Sequence, residues 1–303
     1  MKRGLITWDK SELPPEAFES RLAAARSALA ARELPALVVY SDLWKSNHGR
    51  FFSNFMPYFN RGLLVIPRED KPVLLCGLSP RVYPWIKSVT ILDEILPSPN
   101  LPQRLLQLCS EKSWKSIGVL DLDQLPYDLY TPIRAGVECL DVPSRSIRPA
   151  PDQWEVAMYR RAANMARQIL AEELPAGTGL IDYEFVGRLE RKFRRAGAED
   201  LVVLVTNGGN PPAPATGAKL SAEFSVSIAL EYRGHWVKLI RNAAGITSDS
   251  GSVASVEDLS GPYPFEANKT GPIFASHAEV RDHGRRVFFG DTYLHAQNGI
   301  ESL

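Results

Sequence analysis

His277, in the run GPIFASHAEV, carries an imidazole that can take or give a proton near neutral pH. Glu279 stands two residues on, so in an extended strand the two side chains share a face. Lys238, in HWVKLIRN, can bind an anion, or act as a base if desolvation depresses its pKa. Arg241 in the same run offers a planar fork of donors that suits a bound carboxylate or a structural ion pair. In SVSIALEY, period-two alternation puts Ser225, Ser227, Ala229 and Glu231 on one face and Val226, Ile228 and Leu230 on the other. Glu231 and Lys238 can therefore pair across a hairpin. Asn207 and Asn210 bracket two glycines, which suits either a tight loop or a loop that brings backbone amides to a ligand. Asp291 with Thr292 can hydrogen-bond a ligand or stabilise a turn.

Several other chemistries find no support. Ser250 and Ser252 flank Gly251, but no G-x-S-x-G elbow is present, and neither a phosphate-binding loop nor a dinucleotide fingerprint occurs. Cys76, Cys109 and Cys139 are few, odd in number and widely spaced, as buried thiols in a reducing cytoplasm would be. Thirty-five basic residues balance thirty-five acidic ones, which argues against a nucleic-acid partner and opposes self-association little. No run of about 18 apolar residues suggests a membrane span. The expectation is a cytoplasmic protein without cofactor. His48 and the aromatic cluster Phe51, Phe52, Phe55, Tyr58 and Phe59 read as core or dimer contact, with a substrate-facing role for His48 or Phe55 left open.

At 303 residues, 45% hydrophobic and 23% charged, the chain suits two globular domains. In the first half, Phe18, Leu22, Ala25 and Leu29 form one stripe of a helix over 15–32. Strands are expected at Ala36–Tyr40, Gly62–Ile66, Val73–Leu75, Thr90–Leu92 and Ile117–Leu120, and helices at Leu101–Cys109 and Tyr127–Ala135. This alternation predicts an α/β layer with a mixed sheet. Three prolines in VPSRSIRPAP mark a linker, dividing the chain into 1–148 and 149–303. The second half opens with helices near 153–173 and 182–196. Strands follow at Leu201–Val205, Ser225–Glu231, His235–Arg241, Gly271–Val280 and Val287–Leu294, an α+β arrangement.

The order of these pieces resembles the creatinase and aminopeptidase P family. The resemblance runs over nearly the whole chain, through RGLLVIPREDKPVLL, IRPAPDQWEVAMYRRAANMARQIL, GTGLIDYEFVGRLERKFRRAGAED and VFFGDTYLHAQNGIESL. It implies a creatinase-like N-terminal domain followed by a pita-bread domain. Metal-using members of that family hold two divalent ions with two Asp, one His and two Glu, because paired dications need several hard anionic ligands. Carried onto this chain, those positions fall on Ala229, Lys238, Ser250, His277 and Gly290. None is the family's ligand, so a family-type metal pair is not expected.

Family members also carry a long helical pair before the His position, where this chain has only the ten residues NAAGITSDSG. The pita-bread domain is therefore expected to be shortened, and a homodimer is expected to cover the exposed face. Creatinase cleaves a C–N bond without metal, but its loop with the catalytic His corresponds here to TNGGNPPAPATGAKL, which has none. Three readings follow. One is a metal-independent enzyme for a small guanidino or amide substrate, with His277, Lys238 and Glu231 catalytic and Arg241, Trp236, Asn207 and Asn210 binding substrate. The others are a binding or scaffold protein, and a metalloenzyme rebuilt around His277, Glu279 and His295.

Overall fold

A computed structural model describes residues 7–57, 60–207, 209–246, 252–261, 265–282, 285–296 and 299–303. The chain divides into two compact units, Lys2–Ala150 and Pro151–Leu303.

The first unit contains helices α1 (Pro15–Ala30), α2 (Asn47–Ser53), α3 (Tyr83–Val89), α4 (Leu101–Glu111) and α5 (Tyr127–Gly136). Its strands are β1 (Ala36–Ser41), β2 (Gly62–Pro67), β3 (Val73–Cys76), β4 (Glu94–Pro97), β5 (Ser116–Leu120) and β6 (Glu138–Val142). They form one mixed sheet in the order β4-β3-β2-β1-β5-β6. Both β1 and β2 are buried along their whole length, which explains the unbroken apolar runs ALVVY and GLLVI. One core cluster gathers Leu22, Ala25 and Leu29 of α1 against the sheet, and a second gathers Leu105 of α4 and Ile133 of α5. The strand expected at Thr90–Leu92 is not there. Thr90 ends α3, and the neighbouring strand begins at Glu94.

The second unit contains helices α6 (Gln153–Glu173) and α7 (Asp182–Ala196) and strands β7 (Asp200–Thr206), β8 (Ser225–Tyr232), β9 (His235–Asn242), β10 (Ser252–Asp258), β11 (Glu266–Ala267), β12 (Ile273–Asp282), β13 (Arg285–Ala296) and β14 (Gly299–Ser302). A reciprocal capping box starts α6: Asp152 accepts from the Glu155 amide at 2.8 Å, and Glu155 accepts from the Asp152 amide at 3.1 Å. Gly197, at φ +106°, closes α7 in the left-handed conformation that glycine adopts without strain. The sheet runs β11-β10-β12-β13-β9-β8-β7, with β14 paired antiparallel to the last residues of β13.

Met158, Ala162, Ala166 and Leu170 of α6 share one core with Phe185, Leu189 and Phe193 of α7 and with Val226, Ile228, Leu230, Val237 and Leu239 of the sheet. The helices thus cover one face of the β8–β9 hairpin. Residues of opposite parity are left to build a site on the other face. Among the described residues, no helix joins β9 to β10. No described helix is long and apolar enough to cross a membrane.

Candidate functional site

Cross-strand register lays two rows of side chains over the sheet face away from the helices. In the first row, Glu257 of β10 is opposite Ala275 of β12, which is opposite Thr292 of β13. The Thr292 hydroxyl accepts from the Lys238 amide and donates to the Lys238 carbonyl, both at 2.9 Å, which aligns Lys238 of β9 with the same row. Ala229 of β8 ends it, opposite Lys238. In the second row, Ser255 is opposite His277, His277 is opposite Gly290, and Gly290 is opposite Ile240.

Lys238 and Glu257 stand three strand intervals apart, which in a flat sheet would be about 14 Å. Their charged ends nevertheless meet. The Lys238 ammonium donates to both Glu257 carboxylate oxygens, at 2.8 and 2.9 Å. The two long side chains close that span along the row, and the small side chains of Ala275 and Thr292 lie between them. Both ends of the pair are mostly enclosed, with side chains 18% and 15% exposed.

His277 lies alongside. Its Nε2 is hydrogen-bonded to the Ser255 hydroxyl, and the nearer Glu257 oxygen is 4.0 Å from the same nitrogen. Burial and then the positive charge of Lys238 push the imidazole pKa below its ordinary value, outweighing the opposite pull of Glu257. The ring is therefore neutral at neutral pH and able to accept a proton. Gly290 is what lets it sit there, because a Cβ at that position would stand 2.8 Å from the His277 Cβ and 3.1 Å from the Ser276 carbonyl.

The other residues singled out in the sequence make contacts of their own. Glu231 is fully buried opposite Trp236, and the lysine expected to pair with it bonds Glu257 instead. Arg241 has the opposite parity to Lys238 and does not face the rows. Its guanidinium donates to Asp291 at 2.6 Å and to the Gly290 carbonyl, while Arg167 of α6 holds the other Asp291 oxygen at 2.8 Å. Through Asp291, Arg241 is thus linked to Arg167 of α6 in an ion-pair network between sheet and helix.

Trp236 packs edge-on against Phe265, with ring centroids 5.2 Å apart. Asn207 spends its side chain within its own loop, donating to the Lys219 carbonyl at 2.7 Å and accepting from the Ser221 amide at 2.9 Å. Asn210 donates to the Asn207 carbonyl at 3.2 Å. In the first unit, His48 lies 3.0 Å from Asp121, and Phe55 is buried in the core.

A metal centre around His277, Glu279 and His295 is not assembled. Arg281 and Arg286 take the Glu279 carboxylate, at 3.0 and 2.6 Å, and His295 packs edge-on against Phe274. Among the described residues, no three His, Cys, Asp or Glu side chains stand together as metal ligands. Ser250 lies outside the described residues. At the other four positions carried over from the resemblance stand Ala229, Lys238, His277 and Gly290, and the carboxylate beside them, Glu257, is already bound to an ammonium. Such a donor set does not fit two divalent cations.

Comparison of the fold decides what this arrangement is built on. Over 94% of its length the chain superposes on 97% of a Xaa-Pro dipeptidase from Bacillus anthracis, with a TM-score of 0.70 and 15% identity. For an X-Pro aminopeptidase from Thermotoga maritima the TM-score is 0.71 at 14% identity, over 92% of this chain and 96% of that one. The chain has the pita-bread fold. A prolidase from Pyrococcus horikoshii shares the same pita-bread architecture, with a TM-score of 0.69, 12% identity and coverage of 93% and 97%. No protein-family model matches the sequence, and no curated protein matches it.

Two residues of the pita-bread site, Ser255 and Glu257, escape a reading of the sequence. Both lie on β10, whose pairing with β12 shifts register between Val253 and Ser255. A shift of this kind breaks strict alternation, so Val253 and Val256 stand three apart and no strand pattern stands out. The signal that could have found them is the pair Ser255 and Glu257 itself, two polar residues on one face of a short extended run.

Proposed function

We propose that the protein is a metal-independent enzyme that cleaves a C–N bond in a small nitrogen-rich substrate, an amide or a guanidino compound. The observation that carries this reading is the neutral His277 imidazole, held against the Ser255 hydroxyl beside an ammonium–carboxylate pair. Cleaving such a bond requires a base to activate the attacking oxygen and an acid to protonate the departing nitrogen, and one imidazole can do both in turn. The enclosed cation Lys238 can stabilise negative charge that develops on the substrate.

The test is turnover of a panel of small amides and guanidino compounds in excess chelator. His277→Ala should lower kcat by about 10²–10⁴-fold while the fold is kept. A panel member hydrolysed only after divalent metal is added back would overturn the proposal, and so would full activity in His277→Ala. The second reading, a binding protein on a pita-bread scaffold, is favoured by one observation: Lys238 and Glu257 neutralise each other, so neither is poised as a free acid or base. A ligand bound tightly and recovered unchanged would support that reading.

A further inference from the structure

Ser255 has no part in the chemistry described above beyond its contact with His277. It lies directly across from that residue in the β10–β12 ladder. Its hydroxyl meets Nε2 of a half-buried imidazole whose pKa is held down, first by burial and then by the nearby ammonium. A neutral imidazole facing a serine hydroxyl is the pairing that raises the nucleophilicity of an otherwise weak alcohol. Glu257 is on the same strand two residues along, so it shares the face of Ser255. It keeps Lys238 in place with two hydrogen bonds. An ammonium has three donors, so Lys238 retains one N–H for a developing oxyanion.

The arrangement differs from a catalytic triad in one respect. An orienting acid would bond His277 Nδ1, but that atom is buried without a hydrogen-bond partner among the described residues, and Glu257 approaches the Nε2 side instead. The cross-strand pairing places His277 on the ladder, and its ring contact with the Ser255 hydroxyl is made through Nε2.

Resting on the metal-independent reading above, we propose that Ser255 is a covalent nucleophile and that the substrates are small amides, cleaved through an acyl-serine. Ser255 Oγ adds to the carbonyl carbon as its proton passes to His277 Nε2. The C–N bond then breaks, and the same proton goes to the departing nitrogen, leaving an ester on Ser255. Water, giving a proton to the freed Nε2, adds to that ester and releases the carboxylic acid, and the proton returns to Ser255. Each cycle consumes one water and needs no oxidant or reductant.

The test uses diisopropyl fluorophosphate on the full chain, followed by peptide mass spectrometry. Attack on phosphorus expels fluoride and leaves a phosphoryl group on an activated serine, whatever the natural substrate is. The expected result is one adduct, on Ser255, absent from Ser255→Ala. The labelling rate should drop by about 10²–10⁴-fold in His277→Ala and should fall in the wild-type chain as acid protonates His277. Thermal melting checks that the variants fold. If His277→Ala does not fold, His277→Gln and the wild-type pH profile carry the same decision.

No adduct on Ser255, or labelling that ignores both His277 and pH, overturns the proposal. Chelator-resistant amide cleavage by Ser255→Ala also overturns it, while leaving the metal-independent reading intact. A metal requirement for turnover together with His277-dependent labelling of Ser255 would do the reverse.

Discussion

Lys238 Nζ stands 2.8 and 2.9 Å from the two carboxylate oxygens of Glu257, reaching across the strands that carry Ala275 and Thr292. A pair this enclosed is costly to break from one side, because the remaining charge keeps its desolvation and loses its partner. Lys238→Met should destabilise the chain by about 1–3 kcal/mol, less than for a fully buried pair because both ends keep some contact with water. Lys238→Met combined with Glu257→Gln should recover most of that loss. Urea unfolding of both single variants and the double variant measures the coupling. A coupling near zero would mean that the two groups do not meet in solution.

His277 gives stability a pH dependence of known sign. Its folded pKa lies below the ordinary imidazole value of about 6.5, so in acid the unfolded chain takes up the proton first. The contribution is complete above that value and is lost as pH falls toward the folded pKa. Between about pH 8 and about pH 5, the wild-type melting temperature should therefore fall further than that of His277→Gln, which cannot titrate. Parallel curves for the two proteins would contradict the sign.

Divalent metal should leave stability unchanged. A ligand present at a hundred times its Kd stabilises the folded state by about 2.7 kcal/mol, an easily measured shift in melting temperature. Titrating the chelator-treated protein with Mn²⁺ and then with Zn²⁺ should give no saturable rise. A saturable rise abolished by Glu257→Gln would show that the carboxylate leaves Lys238 to bind the ion, and would sink the metal-independent proposal.

How much of this could be read in advance divides along physical lines. The α6 and α7 stripes, the β8–β9 hairpin and the inward parity of Lys238 follow from periodicity, and the apolar runs at β1 and β2 mark buried strands. His277 stood out because an imidazole is chemically distinct. Its partner Ser255 did not, because the register of β10 shifts just before it. Arg241 was left open between a substrate clamp and a structural ion pair. A fork of donors looks the same in sequence whether it meets a ligand or Asp291, and only the strand face it occupies separates the two. The pairing of Lys238 with Glu257 instead of Glu231 was beyond sequence pattern altogether, since it depends on the order and register of four strands.

Gly290 sets how closely two of these strands approach. It is directly opposite His277, and an added Cβ would come within 2.8 Å of the His277 Cβ and 3.1 Å of a backbone oxygen, closer than carbon atoms pack. The backbone oxygen belongs to the ladder and cannot swing aside, so the strands must separate or the imidazole must shift. Gly290→Ala should therefore cost about 1–3 kcal/mol, the usual range for overpacking. It should also loosen the His277–Ser255 contact without removing either group. In the double variant Gly290→Ala with His277→Gly, removal of the facing Cβ should return part of the loss, while contact with the Ser276 carbonyl remains. Chemical denaturation of the three variants decides the matter. If Gly290→Ala is as stable as wild type, the close approach of β12 and β13 at this point is wrong.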